Sequence, residues 1–119
     1  MNNQNGIILA AIIALLTLTA YARRDLPTKV DPVTGDGIQY EAPNRLTRVV
    51  VVEAWDETSH KLLWEQTVYE MKIDPELEED VQWDFIKTLQ LDGNTLIIAT
   101  ESRRAFRLNV KTREIEKDK

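Results

Sequence analysis

Chemistry in this 119-residue chain would have to come from a short set of side chains. The sole histidine, His60, stands beside Ser59 in the polar stretch Glu57 to His60, and Ser102 lies far downstream. No motif places a base or an oxyanion hole next to either serine, so a catalytic triad is not expected. Asp74, Glu76, Glu78, Glu79, Asp80 and Asp84 supply the oxygens that a hard cation prefers. They lack the alternating ligands and the glycine of an EF-hand loop, and a dense run of like charge is ordinarily a solvated face. No glycine-rich phosphate loop is present. Cysteine is absent, which excludes disulfides, thiolate zinc sites, cysteine nucleophiles and a lipidated cysteine. The expectation is a protein without catalytic, metal or cofactor groups, and not an enzyme.

Two features point to binding. Arg103, Arg104 and Arg107 form a local basic cluster in an otherwise acidic chain of net charge −5. It would suit anionic lipid or an acidic partner surface; its plainer role is a charged hairpin turn and edge strand. The overall charge argues against nucleic acid, because neutralising phosphates requires a basic face. Trp64 brings a large apolar face to the start of a strand, suited either to a core or to a partner.

These groups need elements to hold them. Residues 1–22 contain no Lys, Arg, Asp or Glu, and fourteen of the sixteen residues from Ile7 to Ala22 are apolar. As a helix this stretch would span roughly 24 Å, somewhat short of a hydrocarbon core about 30 Å thick. Local thinning, or snorkelling by Arg23 and Arg24, would close the gap, with Tyr21 at the interface. Residues 1–24 are therefore read as a membrane anchor. The alternative is a signal peptide cleaved after Ala22, since Ala20-Tyr21-Ala22 fits a small-x-small site, although MNNQNG lacks a positive leader. Arg23, Arg24 and Lys29 on the C-terminal flank, against none before the segment, place the following domain in the cytoplasm. A periplasmic or secreted domain is the alternative.

From Asp25 to Arg45 the chain holds three of its four prolines and two of its four glycines, and reads as an extended linker reaching at most roughly 70 Å. The domain then runs over residues 46–119. Four consecutive valines within Leu46 to Asp56 predict a central strand buried on both faces. Lys61 to Ile73 predicts a second strand, with apolar residues on both parities and its facing unsettled. Asp74 and Pro75 suit the start of a short helical turn. Val81, Trp83, Phe85, Leu89 and Leu91 alternate and predict a third strand. Asp92-Gly93-Asn94 makes a tight turn into Thr95 to Thr100, and Phe106, Leu108 and Val110 precede a short edge strand at Glu114 to Glu116. The fold class is mainly β: an N-terminal transmembrane helix followed by a small antiparallel meander of five or six strands.

Ala54 to Trp64, AWDETSHKLLW, resembles the tryptophan-docking motif A-x-D-x-x-T-G-K-x-x-W of quinoprotein-type β-propellers. Ala54, Asp56, Lys61 and Trp64 match, while Ser59 stands for Thr and His60 for Gly. Fifty-three residues after Asp56 a weaker echo appears, with Leu108, Asn109 and Thr112 in place and Arg113 and Lys117 where Gly and Trp would be. The resemblance covers about 65 residues. It implies a four-stranded antiparallel blade whose Trp docks on a neighbouring blade, and it carries over no quinone or metal ligand. One such unit cannot close a ring, so Trp64 would find its neighbour in another protein.

Taken together, these readings lead to a non-catalytic accessory or assembly subunit of an integral membrane protein complex. It would contact partners through Trp64, Arg103, Arg104 and Arg107 and the bilayer through Tyr21, Arg23 and Arg24, and no small-molecule substrate is indicated. The alternative is a secreted or periplasmic module that binds a small ligand.

Overall fold

The structure, a computed structural model, describes residues 27–118. The expected anchor and its interface residues Tyr21, Arg23 and Arg24 lie outside them. No helix among the described residues is long and apolar enough to cross a membrane.

Among the described residues eight strands form two four-stranded sheets. Sheet A runs β1 (Val33–Gly35), β2 (Ile38–Glu41), β3 (Val49–Asp56) and β4 (Leu62–Glu70); sheet B runs β5 (Ile86–Asp92), β6 (Thr95–Thr100), β7 (Ala105–Asn109) and β8 (Ile115–Asp118). Each sheet is an antiparallel meander in sequence order, with no crossover. The mainly β, antiparallel expectation therefore stands. Residues 46–119 hold six strands, but these divide between two sheets instead of forming one meander.

The linker expectation requires correction. Val33 to Glu41 folds as a hairpin whose second strand pairs with β3, Tyr40 opposite Ala54 and Glu41 opposite Glu53. Asp36 and Gly37 both take positive φ, 53° and 77°, the geometry of a type I′ turn that joins twisted strands tightly. Val30, Tyr40 and Ala42 are buried in the core, so the folded unit reaches back almost to Pro27.

The valine run behaves as expected. Val50, Val52 and Ala54 face sheet B, and Val51 and Glu53 are buried on the other side. The mixed parity of β4 has a physical cause in two register shifts: Val50 pairs with Tyr69 but Val51 with Thr67, and Ala54 pairs with Trp64 but Trp55 with Leu62. Val68 and Leu63 are the extra residues, and each resets the alternation.

The predicted strand from Val81 is also corrected. A 3-10 turn occupies Asp80–Gln82, an irregular stretch follows, and β5 begins only at Ile86, with a further register shift between Ile86 and Thr88. That shift explains why Ile86 and Leu89 are both buried although their parities differ.

The core lies between the sheets. Phe85, Leu96, Ile98 and Leu108 from the sheet B side meet Val52, Ala54 and Tyr40. The Tyr69 and Phe106 rings stack across the seam with centroids 5.0 Å apart. Asn44 closes it at one end, donating to the Ile86 carbonyl (2.7 Å) and accepting from the Ile86 N–H (3.1 Å).

Candidate functional site: the seam and the open face

The densest polar arrangement lies where the β6–β7 turn meets residues 83–85. Asp84 accepts hydrogen bonds from the Ser102 N–H (2.9 Å to Oδ1), the Ser102 hydroxyl (2.5 Å to Oδ2) and Arg104 Nε (3.0 Å to Oδ2), and Arg104 Nη2 lies 2.9 Å from the same oxygen. The Tyr69 hydroxyl donates to the Asp84 carbonyl, and the Arg104 guanidinium lies 4.6 Å from the Tyr69 ring centroid. Burial alone would raise the Asp84 pKa, but the hydrogen bonds from Ser102, Arg104 and Thr100 outweigh it and hold the carboxyl below its ordinary range. Burial and the nearby Asp84 push the Tyr69 phenol up, so it stays neutral.

Asp84 is therefore a poor base for Ser102. Its lowered proton affinity and the two hydrogen bonds it accepts from Arg104 weaken it as a base toward the Ser102 hydroxyl. The network instead fastens sheet A, through Tyr69, to sheet B, through Ser102 and Arg104. Beside it runs an open groove of about 530 Å³, walled by Met71, Val81 and Trp83 with Lys72, Arg104 and Lys117 at its margin. The sequence offered no signal for this site: Asp84 and Ser102 are 18 residues apart, and only tertiary packing brings them together.

The three arginines do not make one patch. Arg104 turns inward to Asp84; Arg103 is exposed in the turn with φ 71°; Arg107, on the opposite face of sheet B, pairs with Asp118 at 3.2 Å. The cause is alternation: Phe106 and Leu108 point into the core, so Arg107 must point away from it. The acidic run is used locally, with Asp74 accepting the Glu76 N–H and Glu79 pairing with Arg48 at 3.6 Å. Among the described residues no group of three or more His, Cys, Asp or Glu is placed to hold a metal ion.

Trp64 is partly buried within its own chain. Its ring is tilted against Tyr40 at 6.0 Å, and the Arg113 guanidinium of sheet B lies 4.7 Å from its centroid. Within the chain, one side of the ring meets the β7–β8 turn.

The two motif stretches form matching turns. Asp56 Oδ1 accepts the N–H groups of Thr58 and Ser59, and Asn109 Oδ1 accepts those of Lys111 and Thr112. The His60 N–H donates to the Asp56 carbonyl and the Arg113 N–H to that of Asn109. Both residues take positive φ, 60° and 66°, a conformation that favours glycine. His60→Gly is expected to raise stability by about 0.5–1 kcal/mol by relieving the Cβ conflict. Arg113→Gly should gain less, because it also strips the cation from Trp64, worth about 0.5–1 kcal/mol. Thermal melts of both variants check this; equal gains would show that the Arg113–Trp64 contact contributes nothing.

The matching turns define how the sheets stack. Asp56 corresponds to Asn109, so Ala54, which faces sheet B, corresponds to Arg107, which faces away from sheet A. Conversely, Phe106 and Leu108, which face sheet A, correspond to Glu53 and Trp55 on the face of sheet A turned away from sheet B. The sheets thus stack in the same sense, and among the described residues no third sheet lies on the far face of sheet A, where Val51 and Glu53 are nonetheless buried. Across it, paired side by side, run Glu41, Glu53 and Glu65. Glu53, only 6% exposed, is held by Arg45 at 2.7 Å and Trp55 Nε1 at 3.3 Å. Trp55 and Leu62 lie opposite one another at its end.

No protein-family model matches the chain, and no curated protein matches it by sequence.

Proposed function

We propose that the chain is a non-catalytic accessory subunit of a membrane protein complex, anchored by its N-terminal apolar segment and contributing two blade-like sheets to the assembly. The carrying observation is the far face of sheet A, which has the position of an interface in a same-sense stack and carries no third sheet among the described residues. Trp55 and Leu62 offer apolar contact there, and among the described residues the row Glu41, Glu53 and Glu65 is paired with one cation, Arg45. The complementary surface is a partner's face carrying Arg or Lys among apolar residues. Blade-like stacking also accords with the turn that Arg113 presents to Trp64.

Purification of the full chain in mild detergent, with identification of co-purifying proteins, tests the proposal; a clean monomer would overturn it. Glu65 is exposed, so Glu65→Lys should leave folding within about 0.5 kcal/mol of the parent yet reduce recovery of the complex by about tenfold or more. Unchanged recovery would remove the sheet A face as the contact. Protease protection in intact cells or spheroplasts places the module on one side of the membrane, with the cytoplasm expected.

A further inference from the structure

We infer that one end of the module is a lipid-contacting surface, with Leu46, Leu77 and Val81 seated in the headgroup layer of the bilayer. This rests on the anchored reading of the N-terminal segment and adds a second, separate membrane contact.

The meander order decides which loops share an end. The chain enters at residues 27–32, and β2 returns to that same end before residues 42–48 lead into β3. β4 ends there too, so residues 71–85 and the β6–β7 turn at 101–104 lie at the entry end, while the other turns lie at the far end. Contacts fix the arrangement: the Met71 N–H donates to the Arg48 carbonyl, and Asn44 bonds Ile86. Leu46 is 61% exposed, Leu77 61% and Val81 64%, all at the entry end. Among the described residues the large exposed hydrophobics of the far end are Leu62 and Leu63.

The length of chain outside the described residues supplies the occupant. Between Ala22, the last residue of the apolar segment, and Pro27, where the folded unit begins, run five peptide units, at most about 17 Å of chain. An anchor that spans the membrane therefore holds the entry end against the bilayer surface, with no room for an intervening protein layer of domain size. Branched aliphatic side chains at loop tips in that position are suited to enter the interfacial region. Charge does not drive the contact: apart from the Asp84–Arg104 pair, seven acids at this end, Asp31, Asp74, Glu76, Glu78, Glu79, Asp80 and Glu101, stand against five bases, Lys29, Arg45, Arg48, Lys72 and Arg103. Contact by apolar depth should thus vary little between neutral and anionic bilayers.

The absence of cysteine permits a clean test. The full chain carrying Leu46→Cys, Leu77→Cys or Val81→Cys, labelled with nitrobenzoxadiazole, is reconstituted into vesicles of phosphatidylcholine alone or mixed equally with phosphatidylglycerol. Leu63→Cys, at the far end, is the control. Emission at the three entry-end positions is expected to shift to the blue and rise several-fold in both vesicle types, and to be quenched by lipids brominated near the headgroup, with Leu63→Cys unchanged. Adding Leu77→Asp and Val81→Asp should suppress the Leu46→Cys signal while the protein still sediments with the vesicles. Sedimentation with no spectral change overturns the lipid contact, leaves the anchor standing and assigns these loops to a protein partner. A change confined to anionic vesicles also overturns it, in favour of electrostatic adsorption. Failure to sediment at all refutes the anchor, and the inference with it.

Discussion

Asp84→Ala is expected to lower the stability of the chain by about 2–4 kcal/mol, because it leaves the Arg104 guanidinium and the Ser102 hydroxyl without their acceptor at the seam. The figure lies below the full range for a buried pair since the Arg104 side chain is 35% exposed while that of Asp84 is 12% exposed. The pH dependence follows from the lowered carboxyl pKa. A group whose folded pKa lies below its unfolded value, near 4, contributes its full stability above that pH and loses it as pH falls through the folded value. Denaturant titrations of the parent should therefore show stability falling as the pH drops below about 4. Asp56, also lowered by the Ser59 and Thr58 N–H groups, adds to the same window. In Asp84→Asn the acid slope should be shallower and the neutral-pH stability already reduced. A parent-like stability at neutral pH would mean that the seam network is not what holds the sheets together.

Trp64→Ala should cost about 2–4 kcal/mol, somewhat under the usual range for a fully buried Trp because part of the ring stays exposed. The loss comprises packing on Tyr40 and Ala54's neighbourhood within sheet A and the cation held by sheet B. A double-mutant cycle with Arg113→Ala separates them, with a coupling of about 0.5–1 kcal/mol expected for the cation–π contact. Unchanged stability of the full chain in detergent, with loss of its partner, would return Trp64 to the role of an intermolecular anchor.

Much of the fold was legible where one physical signal dominated. Val49 to Val52 announced an inner strand, and Asp92-Gly93-Asn94 announced its hairpin, since Gly93 takes φ 59°. The β1–β2 hairpin was missed because prolines on either side and strands of only three and four residues resemble a linker. Its signal was the Asp36-Gly37 pair between Val33 and the alternating Ile38 and Tyr40. The facing of β4 could not be read from parity, because Leu63 and Val68 each shift the register. For the site, Trp64 was visible as a large apolar side chain on a strand but its contact with Arg113 was not, since contact across 49 residues depends on how two sheets pack. Arg103, Arg104 and Arg107 appeared as one cluster only because sequence proximity ignores the alternation of a strand and the sharp turn before it.

The bulges of β4 also bear on how the molecule avoids its own kind. Among the described residues β4 is an edge of sheet A and, at nine residues, the longest strand, and an edge strand presents a row of backbone groups to any extended chain that comes alongside. A straight edge of this length would template the addition of further strands and polymerise. The extra residues at Leu63 and Val68 bend it at two places, and Glu65 and Glu70 set charge along what remains, so that no uninterrupted flat stretch is left for another chain to extend.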